Sequence, residues 1–412
     1  MGALCLAAPA LAGSLTPQGA PESLQDARLS PGVYPINPAL AQDVPLREPY
    51  DPFFDIDWSV SLRGAYTKAT DSERFDMLLS PSVTLKHTGN RSAISINASA
   101  EAVRAKDGQI DVTSLRLGLE STYALDSQTM LAAKGDLSVT RALAGTPGVA
   151  STISVAPQTI TGTGEVGVTR SFGQFNVGVT GALGRSVYGQ TTLTSGVQQN
   201  NTEQNFWSSN AKLRVGYQAT PIFEVFGTAG VGRNLFDIAS TSLGSKADAT
   251  TTTLEGGVTG RWAGTLEATA STGVAMVRYD AAGLSEVNTQ LYNASVSYVP
   301  DPTLRMRLGL ATTVAPPGPN AGGTTRIGYT VTGDVTYALN SRLALRAMAD
   351  WNTASFAGSA QTQKGYGWGV GADYKLGSHT AVTADYDYDQ SESSTDGTKD
   401  AHRVKVGVTL KR

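Results

Sequence analysis

From residue 56 onward, apolar and polar residues alternate with a period of two. In Ile56-Asp57-Trp58-Ser59-Val60-Ser61-Leu62-Arg63 every even position is apolar and every odd one polar. The stretches Leu115 to Glu120, Leu304 to Leu308 and Val404 to Leu410 repeat the pattern. Successive side chains on a strand point to opposite faces, so each such segment predicts a strand with one greasy and one wet face. About 18 segments follow one another, near 56–68, 74–87, 92–104, 111–123, 129–141, 159–171, 174–187, 206–218, 222–235, 252–262, 264–279, 289–298, 303–314, 325–337, 341–353, 364–375, 379–389 and 401–411. Each has the ~9–13 residues that cross a bilayer at a tilt.

A soluble sandwich also alternates, so the choice between the two rests on other features. The connections alternate short and long. Thr88 to Arg91, Leu125 to Ser127, Phe172-Gly173, Thr220-Pro221, Ala263-Gly264, Pro300 to Pro302, Leu339 to Ser341 and Leu376 to Ser378 read as tight turns. Between them come the polar stretches 142–158, 188–205, 236–251, 315–324 and 354–363. Short periplasmic turns in phase with long outer loops are the signature of an outer-membrane barrel, and a sandwich has no reason to keep that phase. The aromatic residues Trp58, Tyr66, Tyr123, Trp207, Tyr217, Trp262, Tyr298, Tyr337, Trp351, Tyr374 and Tyr388 fall on the apolar parity at or near strand ends. Amphipathic rings prefer the headgroup zone, so these residues predict two aromatic girdles. The pattern therefore predicts an all-β fold, a transmembrane antiparallel β-barrel of about 18 strands. The range is roughly 16 to 20, because 142–158 and 188–205 have room for another strand pair.

Composition removes the competing classes. The 412 residues include 32 Lys+Arg against 35 Asp+Glu, a net charge of −3, which excludes a basic face built for nucleic acid. Fifteen Tyr, 10 Phe and 5 Trp are too many for a disordered chain. After the N-terminus no apolar run is long enough for a transmembrane helix.

Three segments are expected. Residues 1–12, with Gly2 to Ala12 apolar and ending Ala10-Leu11-Ala12, read as the remnant of a signal peptide. The single cysteine, Cys5, would leave with it. Residues 13–55, rich in Pro, read as an extended periplasmic segment, with a lumen plug as the alternative. Residues 56–412 form the barrel. An even strand number leaves both of its ends on the periplasmic side.

The stretch Arg47-Glu48-Pro49-Tyr50-Asp51-Pro52, leading into Trp58-Ser59-Val60-Ser61-Leu62-Arg63-Gly64-Ala65-Tyr66, resembles the start of the putative β-barrel porin 2 family of alpha-proteobacterial outer-membrane proteins. The resemblance covers roughly residues 47–412. It implies the bacterial outer membrane and either a porin or a protein accompanying exopolysaccharide export. The last strand, His402 to Leu410, resembles the C-terminal assembly signal read by the outer-membrane insertion machinery, though it ends in Lys411-Arg412 rather than an aromatic residue.

Eighteen strands spaced ~4.8 Å and tilted ~40° give a circumference of ~113 Å and a backbone diameter of ~36 Å, wide enough for an aqueous channel. The polar parity supplies its candidate lining: Arg63, Arg116, Glu120, Lys134, Asp136, Lys212, Arg214, Glu224, Arg261, Glu267, Arg305, Arg307, Arg346, Asp350, Asp373, Asp385 and Asp387. Lys212 and Arg214 are expected beside Glu224, and Arg346 beside Asp334. A hydrated ladder of ion pairs competes here with a tuned selectivity filter. Arg305, Arg307 and Arg346, set against Asp373, Asp385 and Asp387, would make a transverse field if an outer loop folded inward. The acidic run Asp387 to Glu392, with Asp396, reads as a loop, either simply solvated or binding a divalent cation.

Catalysis finds little material. His87 and His379 fall at periplasmic turns and His402 near an outer loop, none with a serine motif around it, and the sequence has no HExxH or phosphate-loop motif. The reading is a channel for passive diffusion of small hydrophilic solutes, not an enzyme, with no cofactor. The alternatives are an accessory barrel for exopolysaccharide export and a closed structural or adhesion barrel. Expected partners are outer-membrane lipid, lipopolysaccharide, the insertion machinery and the solutes, with no nucleic acid. The sequence leaves the oligomeric state open.

Overall fold

The computed structural model describes residues 54–412, apart from 71, 106, 107, 109 and 320. The expectations for residues 1–12, and for 13–55 up to residue 53, lie outside the described residues. The first strands are β1 (Asp55–Ala69), β2 (Ser72–Thr88), β3 (Ser92–Ala105), β4 (Ile110–Ala124), β5 (Thr129–Arg141), β6 (Ile153–Val155), β7 (Gln158–Phe172) and β8 (Phe175–Tyr188). Next come β9 (Thr191–Leu193), β10 (Gln198–Gln199), β11 (Phe206–Gln218), β12 (Phe223–Phe236), β13 (Ala249–Trp262), β14 (Leu266–Tyr279) and β15 (Val287–Asp301). The chain continues through β16 (Leu304–Ala315), β17 (Thr325–Ala338), β18 (Leu343–Ala357), β19 (Thr362–Lys375), β20 (Thr380–Ser393) and β21 (Gly397–Lys411).

Eighteen of these form one antiparallel sheet in which each strand pairs with its neighbours in sequence. The sheet closes on itself where β1 pairs with β21 from Ser59↔Lys411 to Ala69↔Ala401. Closure removes the exposed edges that an open sheet of this size would carry. The 18 wall strands coincide with the 18 alternating segments. The residues 142–158 and 188–205 add no strands to the wall. Their short strands β6, β9 and β10 make a separate three-stranded sheet that joins the two loops. The connection read as 354–363 is shorter than expected, since β18 runs to Ala357 and β19 starts at Thr362.

Local chemistry sets the hairpins. Ala263 (φ 47°) and Gly264 (φ 71°) both lie in the left-handed region, as a two-residue turn matched to strand twist requires. Asp126 Oδ1 accepts from the backbone N–H groups of Gln128 and Thr129, each at 2.7 Å, fixing the turn between β4 and β5.

Among the described residues, the barrel has no central apolar core. Large apolar side chains stand exposed on one parity of each strand, such as Ile56, Leu62 and Tyr66 on β1, and Val404, Val406, Val408 and Leu410 on β21. Two clusters of buried apolar residues lie instead beneath the long loops. Among the described residues, no helix is long and apolar enough to cross a membrane.

Candidate functional site

Direct cross-strand partners share a face, so the exposed apolar parity assigns every other residue to the opposite, polar side of the wall. That side carries two distinct patches. Around β11–β15 the charges close into pairs. Arg214 Nη1 lies 2.6 Å from Glu224 Oε1, and Arg261 Nη1 lies 3.1 Å from Glu224 Oε2. Arg261 Nε also reaches Glu267 Oε1 at 3.3 Å. Glu224 is buried between the two guanidinium groups, and Arg214 stacks over the Phe226 ring at 4.3 Å. Glu255 accepts from Asn293 at 2.9 Å and from Ser271 at 3.2 Å.

A second patch spans β18–β21. Through its middle the polar parity of β19 is Gly365, Gly367, Gly369 and Gly371, and with no side chains there, groups from β18 and β20 meet across it. Arg346 stands directly opposite Gly371, and Gly371 opposite Asp385. The guanidinium bridges over that glycine to Asp385 at 2.7 Å and pairs with Asp373 at 2.7 Å. Asp350, Gly367 and Asp389 form the same kind of row. A methyl group placed on Gly367 would sit 2.7 Å from Asp350 Oδ1 and 2.9 Å from Asp389 Oδ1, so both carboxylates lean over it. Asp387 pairs with Lys405 at 2.6 Å.

The remaining candidates are spread around the wall. Arg63 donates to Ser80 Oγ at 3.1 Å and lies 3.9 Å from Glu101. Glu120 stands opposite Lys134, with Arg116 and Asp136 on the same face of β4 and β5. Lys212 lies on the polar face of β11, between Thr180 and Gly230. Arg305 and Arg307 lie on β16, opposite Thr336 and Asp334.

Three expectations need correction. Arg346 pairs with Asp373 and Asp385 rather than with Asp334. The pattern identifies the face but not how far a long side chain reaches over a glycine. The basic and acidic groups proposed to face one another across the lumen therefore include immediate neighbours, and Arg346 supplies no separate positive wall. The run from Asp387 to Glu392 is part of β20, not a loop, so alternation sends Asp387 and Asp389 to one face and Glu392 to the other.

The loop between β5 and β7 leaves the rim and turns into the lumen. Leu143 packs against Ala65, Leu78 and Val103, all on the polar parity of β1–β3. Arg74 donates to Ala144 O at 3.2 Å, and Lys399 to Val149 O at 2.9 Å. Val149, Ala150, Ile153 and Ala156 form a small core with Leu193 of the next long loop. Gly148 and Val149 also line a crevice with Gln363, Ser391, Ser393 and Lys399, at the ends of β19–β21. The loop thus crosses from β5 toward the glycine-floored patch. Its anchors Arg74 and Lys399 were not singled out in the sequence. The available signal was the apolar content of Leu143, Val149 and Ile153 inside an otherwise polar stretch.

On the opposite face, Trp58, Tyr66, Tyr123, Trp207, Tyr217, Tyr298, Tyr337, Trp351 and Tyr374 are exposed. Trp262 is half-buried edge-on to Phe223, with ring centres 5.6 Å apart. Tyr388 is half-buried between Trp368 at 6.2 Å and His402 at 4.8 Å. Trp351 lies mid-strand, opposite Tyr366. The third expectation to correct is therefore the confinement of these rings to strand ends. Here they back the glycine floor, covering backbone that has no side chains of its own. His402 is on this outer face, 2.7 Å from the Tyr386 hydroxyl, and His379 Nδ1 lies 3.2 Å from Lys411 O. Among the described residues, no group of three or more His, Cys, Asp or Glu is placed to hold a metal.

A family model described as "Putative beta-barrel porin 2" matches residues 54–412. No curated protein matches the chain. Among solved structures, the outer membrane protein OpdK of Pseudomonas aeruginosa is 11% identical, covering 87% of this chain and 99% of its own, with a TM-score of 0.41. OccAB4 of Acinetobacter baumannii is 12% identical, with coverages of 87% and 98% and a TM-score of 0.41. A loop-deletion form of OmpT from Vibrio cholerae is 16% identical, with coverages of 88% and 100% and a TM-score of 0.32.

Proposed function

The chain belongs to the putative beta-barrel porin 2 family, and from that premise we propose that it is an outer-membrane channel that passes small hydrophilic solutes by passive diffusion. One observation carries the reading. A closed ring of 18 strands turns its polar parity inward, the inserted loop held by Arg74 and Lys399 narrows the passage, and among the described residues no packed apolar core fills it. Barrels of this strand number enclose water, and water-lined walls lower the barrier for polar solutes without any energy source. Trp351, Tyr366, Trp368, Tyr374, Tyr386 and Tyr388 lie on the bilayer-facing parity, so this arc of the wall supplies no aromatic-lined path for a polysaccharide. Lipopolysaccharide around the outer rim and the insertion machinery acting on β21 complete the set of proposed partners.

Planar-bilayer recording of the refolded chain tests the proposal. The expected result is a stepwise ohmic conductance, with liposome swelling that is fast for monosaccharides and slow for oligosaccharides. A barrel that inserts yet shows no conductance, or that swells liposomes equally with long oligosaccharides, refutes diffusion of small solutes.

A further inference from the structure

Charged residues on the bilayer-facing parity are distributed unevenly. At the long-loop rim they include Arg104, Arg185, Arg233 and Arg278, each on the same parity as an exposed apolar neighbour such as Met77, Trp207, Leu235 or Met276. At the short-turn rim, among the described strand residues, Arg170 is the one Lys or Arg on that parity, and it packs on Phe172 with its guanidinium 5.2 Å from the ring centre. A cation facing lipid is costly at the bilayer midplane and nearly free at the interface. The arginines therefore mark the depth of the outer headgroups.

Three of them are arranged along one arc. Arg233 stands opposite Thr250, and Thr250 opposite Arg278, so two guanidinium groups flank one hydroxyl at roughly 10 Å across two strand spacings. Arg185 lies a few strands away over the Trp207 ring, at 5.2 Å. Loop carboxylates hold all three of these groups in place, Arg278 through a single contact of its Nε with Glu286 Oε2 at 3.4 Å. Arg185 bonds Asp237 through both Nη atoms, and Arg233 does the same with Asp280 while also donating to Thr250 at 2.8 Å. A guanidinium has five N–H donors, so each clamp fixes its orientation and leaves donors over. Planar guanidinium groups are suited to bidentate capture of phosphate.

The geometry points to the outer rim of β8–β14 as a binding collar for the phosphorylated glycolipid of the outer leaflet, with Arg233, Thr250 and Arg278 forming its centre. This rests on the outer-membrane orientation used above, and the choice of occupant rests on the asymmetry. Cations gathered at one rim of a lipid-facing belt complement the leaflet whose glycolipid headgroups carry the densest phosphate.

The test uses the refolded full chain in detergent and native mass spectrometry. The probes are a bis-phosphorylated diglucosamine lipid and its dephosphorylated form. Wild type is expected to retain the phosphorylated lipid at least ten-fold better. The variant Arg233→Gln/Arg278→Gln should lose that preference, whereas Arg170→Gln should keep it. Because Arg233 also anchors Asp280, Arg278→Gln alone is carried in parallel. It leaves the clamp intact and should weaken retention at least three-fold. Equal retention of both lipids by wild type, or an unchanged preference in Arg278→Gln and the double variant, overturns the inference. Conductance of the same samples reads the channel independently, so loss of lipid binding with conductance retained separates the two proposals.

Discussion

The wall around Glu224 and the wall around Gly367 are built on the same antiparallel ladder but use their inward positions in opposite ways. At Glu224, large side chains of opposite charge stand on adjacent strands, and a buried carboxylate is closed between Arg214 and Arg261. At Gly367 the central strand contributes no side chains, and two carboxylates, Asp350 and Asp389, lean over the gap from either side. The first arrangement ties three strands together. The second opens space on the wall that the inserted loop approaches, and leaves charge facing it. Structural stiffness and room for solute are thus assigned to different arcs of one ring.

The largest effect is expected at the clasped acid. Glu224→Gln removes the charge that compensates two partly buried guanidinium groups. It should destabilise the barrel by about 1–3 kcal/mol, the cost of leaving buried charge-assisted bonds unmade, discounted for the aqueous lumen. Asp350→Asn, on the open wall, should change stability by less than about 0.5 kcal/mol. The check is the temperature at which each variant loses its folded, heat-modifiable mobility in detergent gels. Equal shifts for the two variants would erase the distinction between the arcs.

A smaller change is expected from filling the floor. In Gly367→Val the new side chain must displace the ends of Asp350 and Asp389, both movable, so the barrel should still assemble. A β-branched residue suits a strand better than glycine, which offsets part of the crowding. Single-channel conductance should fall modestly, by roughly a quarter, with thermal stability unchanged or slightly raised. An equally substituted Gly178 on β8, on the same polar parity and with its nearest neighbour, Thr169, at an ordinary 3.5 Å, serves as the comparison. If both substitutions lower conductance alike, the β19 floor has no special role.

These two arcs were unequally visible in the sequence. The strands were legible because period-two alternation reports local backbone geometry. The segment expected at 174–187, for instance, is Phe175–Tyr188 in the structure. The pairing of Arg214 with Glu224 was legible as well, since tight turns place them on adjacent strands in a foreseeable register. The contact of Arg346 with Asp385 was not, because it skips a strand, and only the absence of a side chain at Gly371 allows it. The path of the loop after Arg141 was equally hidden. Its anchors, Lys399 and Val149, are 250 residues apart, and no periodicity links them.

The smallest effect should come at acidic pH, on the long-loop rim. Hydrogen bonds from Arg185 hold the Asp237 carboxyl below the ordinary value of 3.8, outweighing the opposing effect of burial, with smaller help from the positive charges of Arg185 and Lys246. Arg233 does the same for Asp280. A carboxyl lowered in the folded state stabilises wherever the unfolded group would already be ionised, and that contribution disappears as pH falls through the lower, folded value. Both clamps should therefore be intact at pH 5 and should begin to release below about pH 4. Both groups are solvent-exposed, so the barrel should persist while the loops loosen. Limited proteolysis with an acid-active protease should cut residues 237–248 and 280–286 faster at pH 3 than at pH 5, with the wall strands protected at both. Asp237→Asn and Asp280→Asn should already be cut at the faster rate at pH 5, because neutral amides cannot supply the charge that holds Arg185 and Arg233. If cleavage in these loops is the same at both pH values, the clamps are incidental to loop order, and the rim, unlike the arc around Glu224, draws nothing from its ion pairs.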